Sequence, residues 1–104
     1  KNRLLVVTWG SVYGPAYSAI KELQEQGSPV SMLHLRYLNP FQKNLAVVLK
    51  NFDKVLVPEM NLGQLSNLLR AKFLVDTTTF AKVQGRPFLI SEIRSRVLEL
   101  LAEK

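Results

Sequence analysis

The 104-residue chain contains no cysteine. That excludes disulfides, thiolate zinc sites and any iron–sulfur cluster ligated by this chain. No apolar run approaches the roughly 18 residues that a membrane helix needs, so no membrane span is expected. Neither G-x-G-x-x-G nor G-x-x-x-x-G-K-[ST] occurs, and no Lys stands at a helix start to hold a phosphate. There is one histidine, His34, and neither a nucleophile nor metal-ligand spacing accompanies it. No triad, metal cluster or paired-carboxylate site is therefore expected, and His34 reads as a core or surface residue. The chain opens on Lys1 and the strand-like "LLVV", with no initiator Met and no signal-peptide h-region, so it reads as a piece of something longer.

What is present fits one compact α/β domain spanning residues 1–104: 47% apolar and 21% charged residues are ordinary for a globular protein. The net charge of +6 is spread along the chain: residues 1–52 carry six Lys/Arg and two Glu, residues 53–104 eight Lys/Arg and six Asp/Glu. Positive charge is densest at Lys82, Arg86, Arg94 and Arg96, without interleaved aromatic residues, which argues against nucleic-acid binding.

Four segments have the near-continuous apolar character of strands covered on both faces: 4–8, 30–36, 54–58 and, more weakly, 79–83. Helical stripes lie between them. Ala16, Ala19, Ile20 and Leu23 form one; Leu45, Val48, Leu49 and Phe52 another; Leu62, Leu65 and Leu69, widened by Leu68, a third; Ile93, Val97, Leu100 and Leu101 the last. Pro15 reads as a first helical position, Gly27 as a left-handed cap, Asn39 and Ser91 as N-caps, and Asn61 with Gln64 as a capping box. The β-α-β-α-β-α-β-α order predicts a mainly parallel sheet in a three-layer α/β/α sandwich, and with strand one central the strand order is expected to be 2-1-3-4.

In such sheets ligands sit beyond the strand C-termini where the winding reverses, here between strands one and three. The loops meeting there are "TWGSVYGP" and "VPEMNLGQ". Candidate crevice or interface residues are therefore Trp9, Gly10, Ser11, Tyr13, Gly14, Arg36, Glu59, Asn61 and Gln64. Six of them have a plain alternative: the two glycines permit a tight turn, Asn61 and Gln64 cap a helix, and Arg36 pairs with Glu59; Trp9 and Tyr13 are amphipathic rings of the kind that serve interfaces. Glu59, at a strand end, also suits a hydrogen-bonding or proton-transfer role.

Four motifs in order carry a resemblance: "WGS.YGPA" at 9–16, "LRYLNPF" at 35–41, "VPEMNLGQL" at 57–65 and "KVQGRPF" at 82–88. Over residues 4–94 the sequence resembles the C-terminal domain of the α subunit of 2-oxoacid:ferredoxin oxidoreductases, most of all the 2-oxoglutarate type. More distantly it resembles the transketolase C-terminal domain. The resemblance implies that fold, with an additional antiparallel strand preceding the first strand here. It implies a cytoplasmic parent enzyme that oxidatively decarboxylates a 2-oxoacid to acyl-CoA using thiamine diphosphate with Mg²⁺ and an iron–sulfur cluster. CoA is then a substrate, and ferredoxin takes the electrons. The implied partners are the other α-subunit domains and a thiamine-binding β subunit. The chain has no cysteine and no "GDG" thiamine motif, so no cofactor residue carries over. Three functions follow as expectations: a structural and assembly domain, a crevice for substrate, CoA or an effector anion, and a generic basic binding module.

Overall fold

A computed structural model describes residues 3–35, 45–59, 64–73, 77–81 and 88–103. The strands are β1 (Leu4–Trp9), β2 (Val30–Leu35), β3 (Lys54–Glu59) and β4 (Thr78–Ala81). The helices are α1 (Tyr13–Glu25), α2 (Leu45–Lys50), α3 (Gln64–Phe73) and α4 (Ile90–Ala102). The sheet order is β2-β1-β3-β4 and every pairing is parallel.

Alternation along the strands divides the core into two clusters, one on each face of the sheet. Leu4, Val6, Val30 and Leu56 pack with Ala16, Ile20 and Leu23 of α1 and Ile93 and Val97 of α4. Leu5, Val7, Leu35, Val55 and Val57 pack with Leu45 and Leu49 of α2 and Leu65 and Leu69 of α3. The apolar runs of β1 and β3 are thus consumed on both faces, which gives the three-layer sandwich.

Several boundaries differ from the sequence-based expectation. Gly10 sits at φ 72° and turns the chain off β1 into a 3₁₀ turn, Gly10–Val12, that runs straight into α1. Pro15 is consequently the third helical residue, still within the first turn, where its missing N–H is no loss. The N-cap of α4 is Leu89, not Ser91; leucine has no acceptor, and the reciprocal half of the cap is Glu92 Oε1 accepting from Leu89 N at 2.7 Å. Leu68 does not widen the buried stripe of α3 but is 46% exposed. Helix α2 ends at Lys50, so Phe52 packs on its cluster from beyond the helix.

The expected cap after α1 is present. Gly27 at φ 87° lets its own N–H donate to Gln24 O at 3.0 Å and Ser28 N donate to Leu23 O at 3.0 Å, a Schellman arrangement. At the same end of the sheet, Lys54 Nζ donates to Leu100 O at 2.6 Å and Arg3 Nη1 to Leu101 O at 3.3 Å. Two cations from the strand starts thereby satisfy the last carbonyls of α4 and complement its dipole.

One strand residue breaks a rule. Proline is rare in a central strand because it cannot donate to the ladder. Lys54 N donates to Arg3 O at 3.0 Å, so alternate amides of β3, including position 58, face β1. Pro58 has no amide to offer there. Register pairs between β1 and β3 accordingly run from Leu4↔Lys54 to Val6↔Leu56, whereas β3 and β4 stay paired to Glu59↔Ala81. The β1–β3 ladder stops short at the position where the winding reverses.

Candidate functional site

Glu59 is the last residue of β3 and is 7% exposed. Its Oε1 accepts from Leu65 N at 2.6 Å and its Oε2 from Ser66 N at 2.9 Å. These are first-turn amides of α3, which have no partner within their own helix. A carboxylate is a strong acceptor there, because charge-assisted bonds add to the favourable end of the helix dipole. Glu59 thus caps α3 from six and seven residues upstream. Nearby, Ser66 Oγ meets Thr77 Oγ1, and Arg70 Nε donates to Thr77 Oγ1 at 2.9 Å, which ties α3 to the residue before β4.

The candidates fall on two faces of the sheet. By alternation Trp9 follows Leu5 and Val7 onto the side of α2 and α3, the side Glu59 also faces. Tyr13 lies on the opposite side with Thr8 and His34. Trp9 and Tyr13 are each 43% exposed. Arg36 and Asn61 lie outside the described residues, as do the side chains of Ser11 and Gln64. The expected Arg36–Glu59 ion pair and Asn61–Gln64 capping box lie there too. Gly14 is a helical residue at which a Cβ would meet nothing within 4 Å.

The second grouping was not legible as a site in the sequence. Thr8 and His34 are register partners on β1 and β2, and Thr8 Oγ1 lies 2.8 Å from His34 Nδ1. Tyr13 leans on the imidazole with ring centroids 4.7 Å apart, and stacks on Tyr17 at 5.6 Å and 25°. Lys21 Nζ stands 5.9 Å from the Tyr17 ring centroid, within cation–π range. Tyr13, Tyr17, Lys21 and Gln24 from α1, with Met32 and His34 from β2, border a concavity of about 440 Å³. Gln24 Nε2 donates to Val30 O at 2.9 Å, which fixes its lower end. The signal was available in the strand alignment: Thr8 and His34 are each the fifth residue of their strands, and positions 13, 17 and 21 share one helical face.

The sheet order and the helices on both faces define a doubly wound α/β domain. The chain belongs to the pyruvate:ferredoxin oxidoreductase core domain II family, matched over residues 3–93. It is 48% identical over 99 residues to the 2-oxoglutarate oxidoreductase subunit KorA of Mycobacterium tuberculosis, which covers 95% of this chain and 15% of that protein. It is 37% identical over 103 residues to 2-oxoacid:ferredoxin oxidoreductase 1, subunit alpha, of Aeropyrum pernix, covering 94% and 16%. Among solved structures, a 2-oxoglutarate:ferredoxin oxidoreductase from Magnetococcus marinus, with 2-oxoglutarate, coenzyme A and succinyl-CoA bound, superposes with a TM-score of 0.92. The identity is 29%, over 97% of this chain and 18% of that one. A split-gene transketolase superposes at 0.71 with 16% identity, over 96% and 38%, and shows the fold alone. The chain therefore spans a small fraction of its relatives' length.

Proposed function

We propose that this chain is a structural and assembly domain within the α subunit of a cytoplasmic 2-oxoacid:ferredoxin oxidoreductase of the 2-oxoglutarate type. The parent complex oxidatively decarboxylates the 2-oxoacid to its acyl-CoA and passes the electrons to ferredoxin. The observation that carries a non-catalytic role is Glu59: the carboxylate placed at the switch point has both oxygens bound to α3 amides. Holding a helix is its work, and no proton transfer is required of it.

The donor set does not fit the cofactors of such an enzyme. The chain offers no thiolate for an iron–sulfur cluster. Among the described residues no group of three His, Cys, Asp or Glu side chains is placed to hold a metal such as Mg²⁺. Thiamine diphosphate, Mg²⁺ and the cluster therefore belong, on this reading, to the other α-subunit domains and the β subunit. No helix among the described residues is long and apolar enough to cross a membrane.

The test is made on the assembled parent complex. It should reduce ferredoxin in a reaction dependent on 2-oxoglutarate and CoA, and Glu59→Gln should leave KM for both substrates and turnover per assembled complex unchanged. A complex inactive on every 2-oxoacid would sink the parent activity. A raised KM with normal assembly would instead make the crevice a ligand site.

A further inference from the structure

We propose that the Tyr13–Tyr17–Lys21 face of α1, with Met32 and His34 of β2, is the docking surface for the rest of its own subunit. What it receives is a polypeptide segment presenting an acidic side chain beside an apolar one. The inference rests on reading this chain as one domain of a longer α subunit.

The rings are exposed yet held. Tyr13 and Tyr17 are 43% and 47% exposed, but Tyr13 is braced against His34, which Thr8 anchors through its Oγ1. Aromatic residues and Met are the types enriched in interfaces, and rings already fixed lose little conformational freedom on binding. Val47, Leu68 and Leu98 are also exposed, but they are aliphatics on three different helices, and isolated aliphatics are ordinary on surfaces. On the α1–β2 face two exposed rings border a concavity together with Met32 and His34.

Charge specifies the visitor. Among the described residues Arg3, Lys54, Arg94 and Arg96 each have a carboxylate within ion-pair distance. Lys21, like Lys50, has no carboxylate at that distance among the described residues, but Lys21 alone of the two stands at the concavity, beside the Tyr17 ring. An acidic residue from outside supplies that partner, and an adjacent apolar side chain covers Met32 and the ring edges. The source is the same subunit because relatives carry most of their length outside this domain, the chain spanning only 15% and 16% of them. A tethered segment meets its site at an effective concentration of order millimolar, which no free partner matches.

The experiment uses the full-length subunit in its assembled complex, with Tyr17→p-benzoyl-phenylalanine, irradiation, digestion and mass mapping of the crosslinked peptides. Tyr17 is exposed, so the variant folds. The expected product joins position 17 to a segment of the same subunit, outside these residues, that contains Asp or Glu. Isotopically mixed complexes distinguish the same copy from a second one. Lys21→Glu should lower the yield several-fold, whereas Lys50→Glu, in the opposite layer, should not. This readout is independent of turnover, so it stands or falls separately from the ferredoxin assay. A crosslink to another subunit or a second copy, a segment without an acid, or no crosslink would overturn the proposal.

Discussion

Thr8 and His34 occupy the same rung of the β1–β2 ladder, and their side chains meet across it, Oγ1 2.8 Å from Nδ1. Thr8 is fully buried, so its hydroxyl depends on that contact. Thr8→Val keeps the shape and removes the hydrogen bond, leaving a ring nitrogen half-buried and unpaired. The expected loss is about 1–2 kcal/mol in denaturant unfolding. Because Tyr13 leans on that imidazole, faster hydrogen exchange at the start of α1 should accompany it. Unchanged exchange there would show that Tyr13 is braced by something else.

The cap on α3 makes a sharper prediction. In Glu59→Gln one carboxylate oxygen becomes an NH₂ group facing a backbone N–H, donor against donor, in a buried place. Stability should fall by about 1–3 kcal/mol, with Leu65 and Ser66 amides losing protection first. A variant as stable as the parent chain would mean that α3 is held by its packing alone.

Lys54 joins the start of β3 to the end of α4, donating to Leu100 O at 2.6 Å and to Glu103 Oε1 at 3.2 Å. Lys54→Met retains the aliphatic stem and removes the charge. A cation at a helix C-terminus is worth about 0.3–1 kcal/mol, so a loss of that order is expected, weakened further by salt only in the parent chain. A salt-independent difference between the two would point to lost packing.

Gly14 separates folding from assembly. It is helical and a Cβ there meets open space, so Gly14→Ala should stabilise the domain by about 0.5–1 kcal/mol. If a neighbouring domain approaches this backbone closely, the same variant should weaken assembly of the complex while stabilising the chain. Stabilisation with normal assembly would assign Gly14 to neither turn nor contact.

The layers and the buried stripes were legible because they depend on local periodicity: Ala16, Ala19, Ile20 and Leu23 all lie in the core as their spacing requires. The strand order, which the structure bears out, followed from taking strand one as central in a doubly wound sheet and not from the pattern. Caps were legible only where the capping chemistry is local, as at Gly27. Glu59 was visible as a strand-end carboxylate but not as a cap, because it reaches α3 from outside the helix by tertiary geometry. The Tyr13–His34 contact needed the β1–β2 register, which aligning the two strand starts supplies but which hydrophobic pattern alone leaves free to slip by two residues. The "DTTTFAKVQGRPF" region was weak in pattern, and of it the described residues retain β4, Thr77 and Phe88.

Pro58 offers a test of why the sheet opens at the switch point. The amides of β3 that face β1 occur at alternate positions, as Lys54 N bonding Arg3 O shows, and position 58 is the one that cannot donate. In Pro58→Ala the new amide should point at the β1 carbonyl two residues beyond the one bonded by Leu56, extending the ladder by one bond. Net stability is a poor reporter, since a hydrogen bond worth about 1 kcal/mol is offset by greater unfolded-state freedom without proline. Hydrogen exchange is a direct one: the amide at position 58 should be protected to nearly the level of the Leu56 amide. If it exchanges freely, the strands are held apart by the packing of the loops at their ends, and the divergence belongs to the tertiary fold rather than to one imino acid.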